Sequence, residues 1–185
     1  MMDLAQTAPE TVILAEDEAS LYLQATTMAV WAPRGQTPLI RVHPNRDKVS
    51  FYGSLNLQTG QEVVTQEPTM NGEATARHLD KILTTYPDRP ILLLWDRATW
   101  HGGPAVRAIV EANPRLELMR LPTAAPELNP QEMVWKATRA AISHNHNERR
   151  LASLADRFEQ HLASTTFCYS LLEKYNHGGI CAMFN

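Results

Sequence analysis

The sequence PILLLWD, residues 90–96, is the most informative single guide to the architecture of this chain. It contains an unbroken apolar run that ends at an acid, Asp96. Such a run is typical of a strand that is buried on both faces in the middle of a sheet. Gly102, Gly103 and Pro104 come soon afterwards and indicate the start of a helix. The segment therefore predicts a central strand followed by a helix, as in an α/β domain.

Segments before this strand predict further strands with antiparallel pairing. TVILAEDEASLYL (11–23) is an aliphatic and β-branched segment interrupted by an acidic triplet. KVSFYGSLNL (48–57) alternates in polarity and leads through a glycine turn to QEVVTQE (61–67). AVWAPRG (29–35) and PLIRVHP (38–44) predict two short strands around a Pro and Gly turn. The chain should therefore begin as an antiparallel sheet.

Helical patterns surround and follow the central strand. The apolar residues between 79 and 86 recur at helical spacing. RLELMRLP (115–122) predicts another strand, and residues 129–145 predict a helix with Asn129 as N-cap and proline in its first turn. Residues 151–175 predict an amphipathic helix that runs on through a second apolar segment. This order predicts a mixed sheet with helices on both faces.

The composition fits one globular domain. The chain has 185 residues, of which 44% are hydrophobic, and this is enough to bury a substantial core. No apolar run approaches the roughly 18 to 20 residues of a membrane span, and the start lacks the features of a signal peptide. We therefore expect a cytoplasmic protein without a membrane partner, with Cys168 and Cys181 as reduced thiols. Core or helix-packing positions are expected for Trp31, Trp95, Trp100 and Trp135.

The charge distribution allows a nucleic-acid partner although the net charge, −3, disfavours one. Basic residues outnumber acids in two local stretches, 34–48 and 136–150. Solvated surface loops and helix faces would explain these stretches equally well.

Carboxylates mark three places where a strand ends or a helix begins. These places are the triplet 16–18, Asp96 and the pair Glu127 and Glu132. If the first strand and the 90–96 strand are parallel neighbours, Asp17 and Asp96 come close, and the next helix could present Glu132 to the same edge. Such a cluster of like charges requires protons or cations, and carboxylate oxygens suit Mg²⁺ or Mn²⁺. The sequence thus predicts two-metal phosphoryl transfer.

Three motifs carry a resemblance to a known family. AEDEASLYL, LLLWDRATWH and LPTAAPELNPQEMVWK resemble, in order, the acidic motifs of DDE transposases of bacterial insertion sequences in the Tc/mariner superfamily. The resemblance implies a ribonuclease-H-like fold with a mixed five-stranded sheet over residues 12–185, preceded by an extension, 1–11. The 35 residues between Asp96 and Glu132 agree with the family's spacing. The family's N-terminal helix-turn-helix region has no counterpart in the sequence, so we expect a catalytic domain, a fragment, or one half of a split reading frame.

The resemblance implies roles for particular residues. Asp17, Asp96 and Glu132 match the catalytic and metal-binding acids, with Glu18 and His101 in support. Spacing alone does not rank the acids of 16–18, although strand alternation places Asp17 on the face opposite its two neighbours. We expect phosphate contacts from Arg97, Lys136, Arg139, Arg149 and Arg150.

Some of these residues have structural alternatives. Glu132 also stands where a glutamate can cap a helix start. Glu127 is expected to serve the loop. His101 could orient a phosphate or bond to backbone at the helix entry.

The function implied by the resemblance is transposition of DNA. Two Mg²⁺ or Mn²⁺ ions would support cleavage at the ends of the element and attack of the freed 3′-hydroxyl on target DNA. The full-length protein would act as a homodimer. Two alternatives stay open: another ribonuclease-H-like nuclease, such as a junction resolvase or RNA hydrolase, and an inactive remnant that serves as an interaction module.

Overall fold

One mixed sheet organises the protein in the computed structural model, which describes residues 8–167 apart from 41, 43, 45 and 124. Its strands are β1 (Val12–Tyr22), β2 (Lys48–Asn56), β3 (Glu62–Glu67), β4 (Ile91–Trp95) and β5 (Leu116–Arg120). The five strands lie in the order β3-β2-β1-β4-β5. β1, β2 and β3 pair antiparallel, whereas β1, β4 and β5 pair parallel. The predicted mixed five-stranded sheet, with its antiparallel start, is confirmed.

In the described part of the chain, four α-helices connect and follow the strands. They are α1 (Gly72–Thr85), α2 (Pro104–Ala112), α3 (Gln131–Thr138) and α4 (Leu151–Ser164). α3 continues into a π-helical turn, Arg139–Ser143. Short 3₁₀ turns, Thr99–Gly102 and Pro126–Leu128, precede α2 and α3 respectively. None of the helices in the described part of the chain is both long and apolar enough to cross a membrane.

The helices cover both faces of the sheet, as the sequence predicts. Side chains from alternate positions of β1 enter two separate cores, because successive residues of a strand point to opposite faces. One core packs Val12 and Leu14 with apolar residues of α1 and α2. The other packs Ile13, Ala15 and Ala19 with apolar residues of α3 and α4. β4 is fully buried between these layers, which explains its unbroken apolar sequence.

Gly53 of β2 allows α3 to approach the sheet closely. A Cβ atom at this position would collide with the side chains of Gln131 and Trp135 from α3. The missing side chain therefore sets the depth at which α3 packs. This depth matters for the candidate site, because Glu132 lies between these two residues on the same helix.

The segment between β1 and β2 differs from the prediction. Residues 29–35 and 38–44 were expected as short strands, but the described residues of both segments contain no strand. Trp31 is fully exposed and Leu39 is 92% exposed, so neither contributes to the core. An apolar composition favours strands here, yet the described residues of these segments pair with no strand of the sheet. The predicted packing of Trp31 is therefore wrong, whereas Trp95 and Trp135 are buried as predicted.

The last helix is shorter than predicted. α4 ends at Ser164, and residues 165–167 are not helical. The backbone N–H of Phe167 instead donates to the carbonyl of Gly60, 2.8 Å away, so the chain returns to the turn between β2 and β3. The predicted continuation to 175 is thus wrong at residues 165–167. Residues 168–175 and both cysteines lie outside the described residues.

Candidate active site

Asp17 lies in the middle of β1 and faces the α3 side of the sheet. Its side chain shares that face with Ile13, Ala15 and Ala19, as strand alternation predicts. The indole Nε1–H of Trp135 donates to Asp17 Oδ2 at 3.0 Å. This bond fixes the direction of a carboxylate that packing has largely removed from water.

Asp96 is the first residue after β4, next to the parallel strand β1. The backbone N–H of Ala98 donates to Asp96 Oδ1 at 2.8 Å. His101 Nδ1 lies 3.2 Å from the same oxygen. The Asp96 side chain is 50% exposed. The carboxylate is therefore oriented from behind while it remains open to solvent.

Glu132 is the second residue of α3, and its side chain is exposed. The Asn129 side chain caps the helix start, because its Oδ1 accepts the backbone N–H of Gln131 at 3.1 Å. A capping glutamate would accept the backbone N–H of Asn129. That N–H is instead donated to the carbonyl of Pro126 at 3.0 Å. The carboxylate of Glu132 is thus not needed for capping, and the helix N-terminus favours its negative charge.

A cleft brings together Asp17, Asp96 and Glu132. It has a volume of about 230 Å³, and its wall also contains Arg97, Asn129 and the loop after β5. The three acids come from different parts of the chain: β1, the end of β4 and the start of α3. Glu127 stands apart, exposed on the 3₁₀ turn Pro126–Leu128. The structure therefore gathers the three predicted acids into one place.

The electrostatics of the cleft favour bound protons or cations. Burial, followed by the charges of Glu132 and Glu18, raises the pKa of Asp17 to about 8. The hydrogen bond from Trp135 opposes this rise, because it stabilises the ionised form. A carboxylate with so high a pKa is poorly stabilised by the protein alone. Carboxylate oxygens arranged in this way fit Mg²⁺ or Mn²⁺, which prefer oxygen ligands.

Glu16 and Glu18 lie on the opposite face of β1 and surround His101. His101 is buried, with Nε2 2.9 Å from Glu18 Oε1 and 3.6 Å from Glu16 Oε2. Its Nδ1 also lies 3.4 Å from the backbone oxygen of Asp96. His101 thus holds Asp96 from behind, and its burial argues against a direct phosphate contact. Burial, then the charges of Glu18, Asp17 and Asp96, raises the pKa of Glu16 well above its ordinary value.

The basic residues predicted to contact DNA occupy different positions around the cleft. Arg97 is exposed and lines the cleft. Lys136 is exposed one helical turn after Glu132, on the same face of α3. Arg139 is half-buried, with Nη2 3.5 Å from the backbone oxygen of Ser20. The exposed residues 149 and 150 stand just before α4 and are not among the described residues that line the cleft.

The sequence does not reveal two residues that position the acids. Asn129 is predicted as a cap, yet its Nδ2 also donates to the backbone oxygen of Glu16 at 2.9 Å and ties the start of α3 to β1. Trp135 is predicted as a packing residue, but it also holds Asp17. Its spacing three residues after Glu132 would place it near the same site, and this was the available signal.

Comparison with known proteins identifies the family. The sequence profile described as DDE superfamily endonuclease matches residues 12–155. The chain belongs to this family. A curated relative, the uncharacterised 39 kDa protein of insertion element IS630 from Shigella sonnei, is 24% identical over 144 residues. That match covers 77% of this DDE endonuclease chain but only 42% of the relative, so the chain spans less than half of its length.

Solved structures of Mos1 transposase share the fold. A pre-cleavage Mos1 transpososome matches with a TM-score of 0.67 and 15% identity, covering 99% of this DDE endonuclease chain and 58% of that chain. The isolated catalytic domain of Mos1 mariner transposase matches with a TM-score of 0.63 and 13% identity, covering 99% of this chain and 87% of the Mos1 chain. Other matching Mos1 complexes contain Mg or Mn. The predicted DDE family is confirmed by the profile match, and the predicted ribonuclease-H-like fold is confirmed by these structures.

Proposed function

We propose that this DDE endonuclease domain cleaves DNA strands and transfers them to target DNA during transposition. The observation that carries the proposal is the convergence of Asp17, Asp96 and Glu132 on one cleft. Family membership supports the chemistry, and the IS630 and Mos1 relatives support transposition as its purpose. The chain spans less than half of the curated relative, so we propose transposition as the activity of the whole protein of which this domain is the catalytic part.

The three acids would together hold two Mg²⁺ or Mn²⁺ ions. Their oxygen donors suit these cations, and the high pKa of Asp17 supports a need for positive charge in the cleft. When bound, the ions would activate the attacking oxygen and stabilise the charge on the leaving oxygen. Related Mos1 complexes that contain Mg or Mn also support this assignment.

The protein's own contribution is to hold these acids in place before DNA arrives. Trp135 directs Asp17 through its indole N–H, and the backbone N–H of Ala98 directs Asp96. Asn129 ties the helix that carries Glu132 to β1. Fixed positions of this kind favour reaction, because binding energy need not be used to assemble the site.

Phosphate contacts would come from basic residues around the acids. Arg97, in the wall of the cleft, would contact the phosphate nearest the reaction. Lys136, one helical turn after Glu132, would contact a neighbouring phosphate. Arg139, Arg149 and Arg150 would extend this surface towards α4. Such contacts supply affinity without sequence specificity.

The remaining proposals concern the whole protein. We assign residues 12–185 to the catalytic domain and 1–11 to an extension before it. DNA, both the ends of the element and the target, would be the partner, and two copies of the full-length protein would act together. The exposed apolar residues of the segment between β1 and β2, including Trp31 and Leu39, offer a surface that a second copy could cover.

A nicking assay on supercoiled DNA in Mn²⁺ tests the active-site assignment. We expect Asp96→Asn and Glu132→Gln to lose nicking, because each removes one charged ligand with little change of shape. Glu127→Gln is the matched control, since it alters a nearby exposed acid outside the cleft, and it should nick normally. Equal nicking by Asp96→Asn and the unmodified protein would contradict the assignment.

A joining assay separates transposition from the other nuclease functions. Oligonucleotides that carry a pre-cleaved end with a free 3′-hydroxyl should be inserted into plasmid DNA if strand transfer is catalysed. Nicking without any joining would instead favour a ribonuclease-H-like nuclease. Binding of DNA without nicking or joining would favour an inactive interaction module.

A further inference from the structure

Glu16, Glu18 and His101 form a second group of potential ligands on the face of β1 opposite Asp17. Each offers one ligand atom, and these atoms all lie within 4.8 Å of one another. The three side chains are buried, with exposures of 1%, 4% and 3% respectively. This group lies outside the acidic cleft, because strand alternation directs its two glutamates away from Asp17.

The Glu16 carboxylate supports a cation at this group. Neither of its oxygens accepts a hydrogen bond from any residue in the described part of the chain. In this group, His101 Nε2 lies 3.6 Å from Glu16 Oε2. Burying an unpaired carboxylate is costly, so buried charges are normally paired or coordinate a metal. The carboxylate faces a place where a positive charge would remove this cost.

The orientation of His101 supports a cation at that place. Its Nδ1 faces Asp96 Oδ1 at 3.2 Å, and its Nε2 faces Glu18 Oε1 at 2.9 Å. A proton on Nδ1 alone would leave the Nε2 lone pair directed at carboxylates. A doubly protonated ring would satisfy Asp96 and Glu18 but not Glu16. A cation bound to Nε2 would satisfy both glutamates, with Nδ1–H donated to Asp96 as metal-binding histidines commonly do.

The two distances from His101 Nε2 fit a small cation. Ligand atoms about 2.0 Å from a tetrahedral ion lie about 3.3 Å apart, and the separations from His101 Nε2, 2.9 and 3.6 Å, bracket this value. Two ionised glutamates and a neutral imidazole would balance a divalent charge. The indole N–H of Trp100 donates to Glu18 Oε1 at 2.5 Å and would orient this ligand. An imidazole ligand favours Zn²⁺ over Mg²⁺.

We propose that Glu16, Glu18 and His101 bind a divalent transition-metal cation, preferably Zn²⁺, at a buried structural site separate from the acidic cleft. The ion would fasten β1 to the turn before α2 and would hold His101 against Asp96. This site does not depend on the proposed transposition, because its ligands are on the other face of β1. Its formation would couple to folding, since the ligands come from distant parts of the chain.

Zinc binding and zinc-dependent thermal stability test this site in the full chain. Protein stripped of metal is incubated with Zn²⁺, dialysed against excess Mg²⁺, and analysed for zinc content and melting temperature. We expect about one retained zinc per chain and a raised melting temperature. Glu16→Gln should lose both effects. This variant keeps the side chain's shape and cannot ionise, so it should fold. Glu132→Gln, which alters the cleft, should keep both effects.

Two results would overturn the proposal. One is the absence of retained zinc and of a melting-temperature shift in the unmodified protein. The other is retention of zinc by Glu16→Gln together with its loss from Glu132→Gln, which would place the ion in the cleft. X-ray absorption at the zinc edge of the unmodified protein gives an answer that needs no variant. Imidazole scattering supports the site, and a shell of oxygen ligands alone contradicts it.

Discussion

Trp135→Phe should weaken metal binding in the acidic cleft, in addition to lowering the unfolding free energy of the protein. The change deletes the N–H that donates to Asp17 Oδ2 at 3.0 Å. A hydrogen bond to a charged group contributes about 1.5–3 kcal/mol, and about 1.4 kcal/mol corresponds to a tenfold change in affinity. Asp17 keeps a backbone hydrogen bond from Glu18, so we expect the lower end of this range. The Mn²⁺ concentration for half-maximal nicking should therefore rise about 10-fold.

The control for this prediction is Trp95→Phe, the same substitution at another buried tryptophan. The indole N–H of Trp95 has no hydrogen-bond partner among the described residues. Both variants shrink a buried side chain by roughly 40 Å³, so each should lose about 1–2 kcal/mol of unfolding free energy. Urea denaturation measures this loss, and nicking across a Mn²⁺ titration measures the metal requirement. If the two variants need the same Mn²⁺ concentration, the Trp135 bond does not support metal binding.

Three further predictions concern packing, pH and DNA. Gly53→Ala should lower the unfolding free energy by about 1–3 kcal/mol or more, because the added Cβ collides with α3. Gly102→Ala is the control, since open space surrounds its Cβ, and it should leave the unfolding free energy nearly unchanged. Urea denaturation measures both values. Burial, then the charge of Lys81, lowers the pKa of His78 to about 3, so its stabilising contribution is present above about pH 6.5 and is lost as pH falls. The unmodified protein should therefore lose about 2 kcal/mol more than His78→Gln between pH 6.5 and 5, as urea denaturation at both pH values would reveal. Arg97→Gln should weaken DNA binding and lower the slope of log affinity against log salt concentration by about one, because one phosphate contact is lost. Fluorescence anisotropy at several salt concentrations measures this slope. An unchanged slope would contradict the contact.

Much of the fold could be predicted because its strongest patterns have a single physical explanation. The unbroken apolar run of β4 requires burial on both faces, and helices on both sides of the sheet provide it. The hairpin formed by β2 and β3 follows from alternation around a glycine turn. The strands predicted within 29–44 are wrong because an apolar composition does not provide a partner, and the described residues of this segment pair with no strand. Strand formation depends on a partner, and a local sequence cannot supply one.

The candidate site was predictable to the level of its acids but not of their supports. Asp17, Asp96 and Glu132 occupy strand ends and a helix start, where sequence patterns are easiest to recognise. Asn129 donates to Glu16 of β1, 113 residues earlier in the sequence, and Trp135 donates to Asp17, 118 residues earlier. Such contacts depend on the tertiary arrangement, so neither residue type nor local spacing specifies them. The sequence likewise does not show that Glu132 is free of a capping role, because this depends on the donation of the Asn129 N–H to the carbonyl of Pro126.

The alternation of β1 explains how consecutive acids can have different tasks. Asp17 faces the cleft with Glu132, whereas Glu16 and Glu18 face His101 on the other side of the sheet. A one-residue shift in the register of β1 would exchange these faces and remove Asp17 from the cleft. The two sites are therefore linked through strand register. A cation at Glu16 and Glu18 would stabilise only the register that presents Asp17 correctly. It would also hold His101 against Asp96, so one buried ion could fix two of the three acids in the cleft.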